Sequence, residues 1–188
     1  MVLVFLKAEI DSPRFGSTYR TILANSELDR RSVIDDPDLS SEQGTLIRRE
    51  LLKLVRGYGT SQALFRGFPH NVQWRRVLLD QTDLSKLKYA NEPSRVALSS
   101  GSRLVSQGSE NVGSGNSTGD TVVNTRAIVE DFKRGKVFPE LIGVDRAAGE
   151  IILMEGHTRA TAYALAKVPS QIECIVGSSV SMSNWAFY

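Results

Sequence analysis

The chain has 188 residues, 41% hydrophobic and 23% charged, which fits a folded domain and excludes a disordered or collagen-like chain. With 23 Lys and Arg against 21 Asp and Glu, the net charge is +2, so any nucleic-acid site must be a local patch. A single cysteine rules out an intrachain disulfide, and with only two histidines it cannot build a Cys/His zinc site. Val2–Leu6 is a short apolar run and reads as a buried strand, with no basic segment ahead of it. No stretch approaches the roughly 20 apolar residues of a membrane span. The expectation is a cytoplasmic protein of bacterial type without membrane insertion.

Asp11-Ser12-Pro13 and Gly16-Ser17 break the first run, and Ser17 is a candidate cap for a helix carrying Tyr19, Ile22 and Leu23. Residues 27–42 are polar and acidic and read as a surface loop. Residues 41–56 predict a helix with Ile47, Leu51, Leu54 and Val55 on one face, started by Ser41 and stopped by Gly57. Arg48, Arg49, Lys53 and Arg56 decorate its other side, as a phosphate contact or simply the wet face of an amphipathic helix. Tyr58–Pro69 is a loop anchored by Phe65 and Phe68.

Val72–Leu79 predicts a strand, and Thr82 a cap for one short helix through Leu84 and Leu87. Arg95–Leu98 and Arg103–Val105 flank Ser99-Ser100-Gly101-Ser102 and read as a hairpin. Residues 106–119 are rich in Gly, Ser and Asn and read as a flexible linker, or a lid that orders on a ligand. Asn124 or Thr125 caps a helix carrying Ile128, Val129 and Phe132 and ended by Gly135. Glu140–Val144 is a strand, Ala147-Ala148-Gly149 a turn, and Ile151–Met154 a second strand. Thr158–Ala166 is a helix closed by Val168-Pro169, and Gln171–Val176 a last strand ended by Gly177. The whole reads as α+β: a small mixed sheet with flanking helices in residues 71–188, and an N-terminal helical extension in residues 1–70.

Chemistry concentrates in Glu155-Gly156-His157-Thr158-Arg159, between a strand end and a helix start. Such a junction offers backbone N–H groups and the positive end of the helix dipole to an anion. Gly156 lets a ligand approach the backbone. Thr158 offers a hydroxyl, and Arg159 a fork for phosphate oxygens. Glu155 can hold a divalent cation or act as a base, and His157 can move a proton. Each residue also has a purely structural role open to it: a turn, a dipole charge, a surface ion pair.

This stretch, with Ala160 and Ala162 after it, resembles the signature of the ParB/sulfiredoxin superfamily. Phe138-Pro139-Glu140-Leu141-Ile142 is similar to the strand before its hairpin, and Gln171–Gly177 to the strand after its helix. The resemblance covers roughly residues 71–177. It implies nucleotide or phosphate binding at Gly156, His157, Thr158 and Arg159. His157 stands where sulfiredoxin has its catalytic cysteine, which argues against sulfinic-acid reduction. Glu155, Gly156, His157 and Arg159 resemble the Asp-Gly-His-His-Arg of free-serine kinases, with Thr158 in place of the second histidine. Only Gly156 and Arg159 match the ParB partition pattern, and no helix-turn-helix domain follows.

Size, the N-terminal region and this variant look most like the Osa-type plasmid fertility-inhibition proteins. That resemblance implies ATP hydrolysis and DNA cleavage with Mg²⁺ or Mn²⁺, with Glu155, His157 and Arg159 catalytic and Glu155 the metal ligand. The implied partners are ATP, transferred DNA and a type IV secretion or coupling protein. The alternatives are a free-serine-type small-molecule kinase and a non-enzymatic nucleotide-binding module. Arg103, with Arg75 and Arg76, is a second-rank candidate for phosphate or DNA contact, because those segments are expected near the signature turn. Cys174 reads as a packing residue in a strand, Trp74 and Trp185 as core or core-edge aromatics, and His70 as a polar cap.

Overall fold

Residues 1–146, 149–167 and 171–188 are described by the computed structural model. Their architecture is mixed α+β and divides into two units, Met1–His70 and Asn71–Tyr188. Among the described residues no helix is long and apolar enough to cross a membrane.

In the first unit, Val2–Leu6 is not a strand but most of helix α1, Val2–Glu9. A five-residue apolar run fits either element. The helix buries Val4, Phe5 and Leu6 and also brings Glu9 inside. There the Glu9 carboxylate accepts a 2.9 Å hydrogen bond from the Tyr19 hydroxyl and lies 3.3 Å from Arg56 Nε. Tyr19 belongs to α2, Gly16–Asn25. Ser17 does not cap α2; Ser12 Oγ instead accepts from Phe15 N just ahead of it.

Residues 27–42 are more ordered than a plain loop. One wide helical turn, Arg31–Asp35, buries Val33 and Ile34, and Arg30 holds both Asp11 and Asp35.

Helix α3, Glu42–Arg56, starts as expected where Ser41 Oγ accepts from Gly44 N, and stops at Gly57 in the left-handed conformation. Its buried face is shifted from expectation: Leu51 and Leu52 are buried, whereas Leu54 is exposed. The basic decoration is also largely engaged. Arg48 is buried with Nη2 on Thr45, Arg56 meets Glu9, and Lys53 pairs with Glu50. Phe65 is buried, with the Phe68 ring 5.4 Å away edge-on, as their anchoring role requires.

The second unit is built on four strands: β1 Gln73–Leu79, β2 Leu141–Asp145, β3 Ile151–Glu155 and β4 Ile172–Ser178. Their order is β1-β4-β2-β3, with β2 parallel to β4 and the other pairs antiparallel. Gly177 does not end β4 but pairs with Trp74 inside the ladder. Helix α4, Gln81–Lys86, is capped by Asp80 rather than Thr82; Asp80 and Asp83 exchange reciprocal capping bonds.

Two further expectations fail here. Pro93–Leu98 is helix α5, with Pro93 in its first turn, so residues 95–105 form no hairpin. Val105–Gly113 is helix α6, so most of the expected 106–119 linker is ordered. It is small-residue packing that orders it. Val105 and Val112 are fully buried, and Gly108 lets the Tyr89 ring lie against the helix.

Helix α7 runs from Asp120 to Lys133, so Asn124 and Thr125 lie inside it instead of capping it. Helix α8, His157–Ala166, follows β3 directly. Leu79, Leu87, Tyr89, Leu141, Leu153 and Cys174 are among the core residues between sheet and helices. Ala147 and Ala148 of the expected turn, and Val168 and Pro169 of the expected helix stop, lie outside the described residues.

Candidate phosphate-binding turn

Gly156 joins β3 to α8 with φ 90° and ψ 17°, a left-handed conformation that favours glycine. A Cβ here would also lie 2.5 Å from Leu141 Cδ2 and 3.0 Å from Arg159 Nη2. The turn is therefore tight in space as well as in dihedral angle. No side chain caps α8, so the amides of His157, Thr158 and Arg159 have no intrahelical acceptor.

Arg159 is 8% exposed and lies under this turn. Its Nη2 donates to the Glu155 carboxylate and, at 3.4 Å, to the Glu140 carbonyl. Its Nε is buried with no hydrogen-bond partner. The guanidinium thus has donor capacity left over beside the helix N-terminus, which is an unusual state for a buried cation. Thr158 is half-exposed on the first turn of the helix.

His157 is oriented from a segment the sequence did not single out. Lys88 N donates to Ile151 O and Lys88 O accepts from Leu153 N, both at 2.8 Å, so Lys88 bridges to β3 at Ile152 and carries Tyr89 and Ala90 beyond it. Ala90 N then donates to His157 Nε2 at 3.4 Å, and the Tyr89 ring stacks on the imidazole with centroids 6.1 Å apart. With Nε2 accepting, the proton of the neutral ring sits on Nδ1. The Tyr89 hydroxyl meets Thr161 Oγ1 at 2.7 Å, and Thr161 Oγ1 donates to the His157 carbonyl at 2.8 Å. Burial pushes the Tyr89 hydroxyl above its ordinary range.

Glu155, Gly156, His157, Thr158 and Arg159 are therefore gathered at one turn. The second-rank arginines are placed otherwise. β1 lies at the opposite edge of the sheet from β3, and of its two arginines Arg76 alone reaches a residue that touches the turn, Glu140. Arg75 forks onto Asp145 at 2.6 and 2.7 Å, and Arg76 donates to the Glu140 carboxylate at 2.9 Å. Arg103 does come near, but facing inward: its guanidinium donates to the carbonyls of Tyr89, Phe187 and Tyr188. Its role is to tie the C-terminal residues to the 88–91 segment.

Cys174 is fully buried, and burial pushes its thiol up to about 12. Trp185 is buried and packs near Phe187.

Tyr89, Ala90, Thr161 and Glu140 were missed by sequence reasoning. Nothing local marks Tyr89, Ala90 or Glu140, which meet the turn from other segments, whereas Thr161 lies one helical turn after His157 and its i,i+4 spacing was the available signal. Among the described residues, no group of three His, Cys, Asp or Glu is placed to hold a metal. A Mg²⁺ or Mn²⁺ would fit here only on the ligand's own phosphates, with Glu155 as the carboxylate at the turn. Set against known protein families, curated proteins and solved structures, the chain gives no match.

Proposed function

We propose that the Gly156–Arg159 turn binds the phosphates of a nucleoside triphosphate and that the protein hydrolyses it. The observation that carries this is the buried Arg159 guanidinium, with an unpartnered Nε, beside an uncapped helix N-terminus. An arriving phosphate competes with Glu155 for Arg159. The released Glu155 carboxylate then orients water, and His157, held by Ala90 and Tyr89, carries a proton at Nδ1. A divalent cation bound with the nucleotide would neutralise charge on the phosphates. The same five residues carry the resemblance to the ParB/sulfiredoxin superfamily. On that resemblance the proposal extends to metal-dependent DNA cleavage and inhibition of conjugative DNA transfer of the Osa type, acting on a type IV secretion or coupling protein.

The Glu155–Arg159 pair favours a second reading, a binding module without turnover, because the carboxylate is already committed. Phosphate release from ATP with Mg²⁺ separates the two. Hydrolysis requires turnover by the wild type that falls at least tenfold in Glu155→Gln while ATP binding persists. Binding without turnover selects the module. Arg159→Ala and Gly156→Ala, checked for folding by thermal melts, should each lose ATP binding. Full binding by both folded variants would sink the site. Nicking of plasmid DNA and conjugation frequency then test the DNA extension.

A further inference from the structure

The register of the sheet puts a second feature at the same end as the turn. Leu79 pairs with Ile172, Leu141 with Cys174, and Ile142 with Glu155. The ends of β1 and β3 and the starts of β2 and β4 therefore lie together. Here an open groove of about 520 Å³ is lined by residues that include Phe132, Phe138, Tyr163, Glu140, Leu78 and Val137. That volume falls within the range of small-molecule sites, about 300–1,000 Å³. Phe132 and Tyr163 meet edge-on at 5.8 Å, and the Lys136 ammonium lies 5.3 Å from the Phe138 ring centroid. Leu78 and Val137 are 55% and 89% exposed, an apolar rim that does nothing for the core.

Groove and turn are linked through Glu140 and helix α8. Tyr163 follows Arg159 by four residues, so both lie on one face of α8. Glu140 lines the groove, while its carbonyl accepts from Arg159 and its carboxylate from Arg76. We propose that this groove seats the base of the nucleotide whose phosphates lie on the Gly156–Arg159 turn. An aromatic-lined slot with the Lys136 ammonium over the Phe138 ring matches a flat π-system. A peptide side chain would fill the slot but leave its link to Arg159 through Glu140 unused. The two exposed rim side chains are too little for a stable contact between copies of the chain.

The inference rests on the phosphate reading of the turn, and its test separates the two. Binding of ATP and of inorganic tripolyphosphate is measured by calorimetry on the full chain. The proteins are wild type, Phe138→Ala and Phe138→Leu, the last keeping apolar volume without the ring. ATP should bind about tenfold more tightly than tripolyphosphate to the wild type, as stacking of a base on an aromatic side chain implies. Both variants should lose that advantage and still bind tripolyphosphate as the wild type does. Equal affinities in the wild type, or an advantage that survives in the folded Phe138→Leu, would overturn the groove and leave the turn standing. Failure of both ligands to bind would overturn the turn, and the groove with it.

Discussion

Arg159 and Cys174 are both buried, but in different company. Arg159 lies under the turn with its guanidinium on the Glu155 carboxylate and the Glu140 carbonyl. Cys174 is fully buried in β4, where loss of hydration outweighs the nearby Arg75 and the Gly143 amide and disfavours its thiolate. With its thiol pushed up to about 12, the thiolate is scarce at any ordinary pH. Iodoacetamide at pH 8 should therefore leave the folded protein unlabelled and modify Cys174 only after denaturation, as read by intact mass. Rapid labelling of the native protein would show that this strand opens.

At the scale of elements, α6 exists because small residues let it approach Tyr89. An alanine normally favours a helix over glycine by about 1 kcal/mol. At position 108 that preference is overridden, because a Cβ would lie 2.3 Å from the Tyr89 hydroxyl. Forcing the ring aside strains a packed core, at a cost of about 1–3 kcal/mol, and threatens the 2.7 Å bond to Thr161. Gly108→Ala should thus lower the midpoint of chemical unfolding despite its better helix propensity. A stabilised variant would mean that Tyr89 has another place to go. The same clash explains why a Gly/Ser-rich stretch, legible as a linker, is a helix. Its ordering comes from close approach, which composition does not record.

Across the whole molecule, acid sensitivity follows from paired carboxylates in both units. Hydrogen bonding to Arg30 holds Asp11 below the usual carboxylate range, and Lys88 does the same for Glu150, with Arg146 adding to it. A carboxyl whose pKa falls on folding contributes stability that is complete above its unfolded value. That contribution is lost as the pH drops through the lowered folded value. These two groups should therefore add nothing to the pH dependence above about pH 5. Below pH 4 the melting temperature should fall, less steeply in Glu150→Gln than in the wild type. Identical acid limbs would show that the Lys88–Glu150 pair is too well solvated to matter.

What the sequence by itself determined is local. Ser41 and Gly57 bound their helix through a side-chain cap and a left-handed residue, both readable within a few positions. The strands β1 to β4 follow from short apolar runs between turn residues, and Gly156 marks the strand-to-helix junction that gathers residues 155–159. Tertiary structure decided the rest. Val2–Leu6 is helical because its apolar run and Glu9 both face inward, and a run of five carries no period to say so. Arg103 turns toward three carbonyls, and Arg75 and Arg76 are carried on the far edge strand, with Arg76 reaching Glu140, because strand order is a long-range choice. The partners of His157 and the groove beside Arg159 exist only once residues 88–91 and 136–140 are folded against α8. Contacts between residues dozens of positions apart are made by packing, and packing has no local signature.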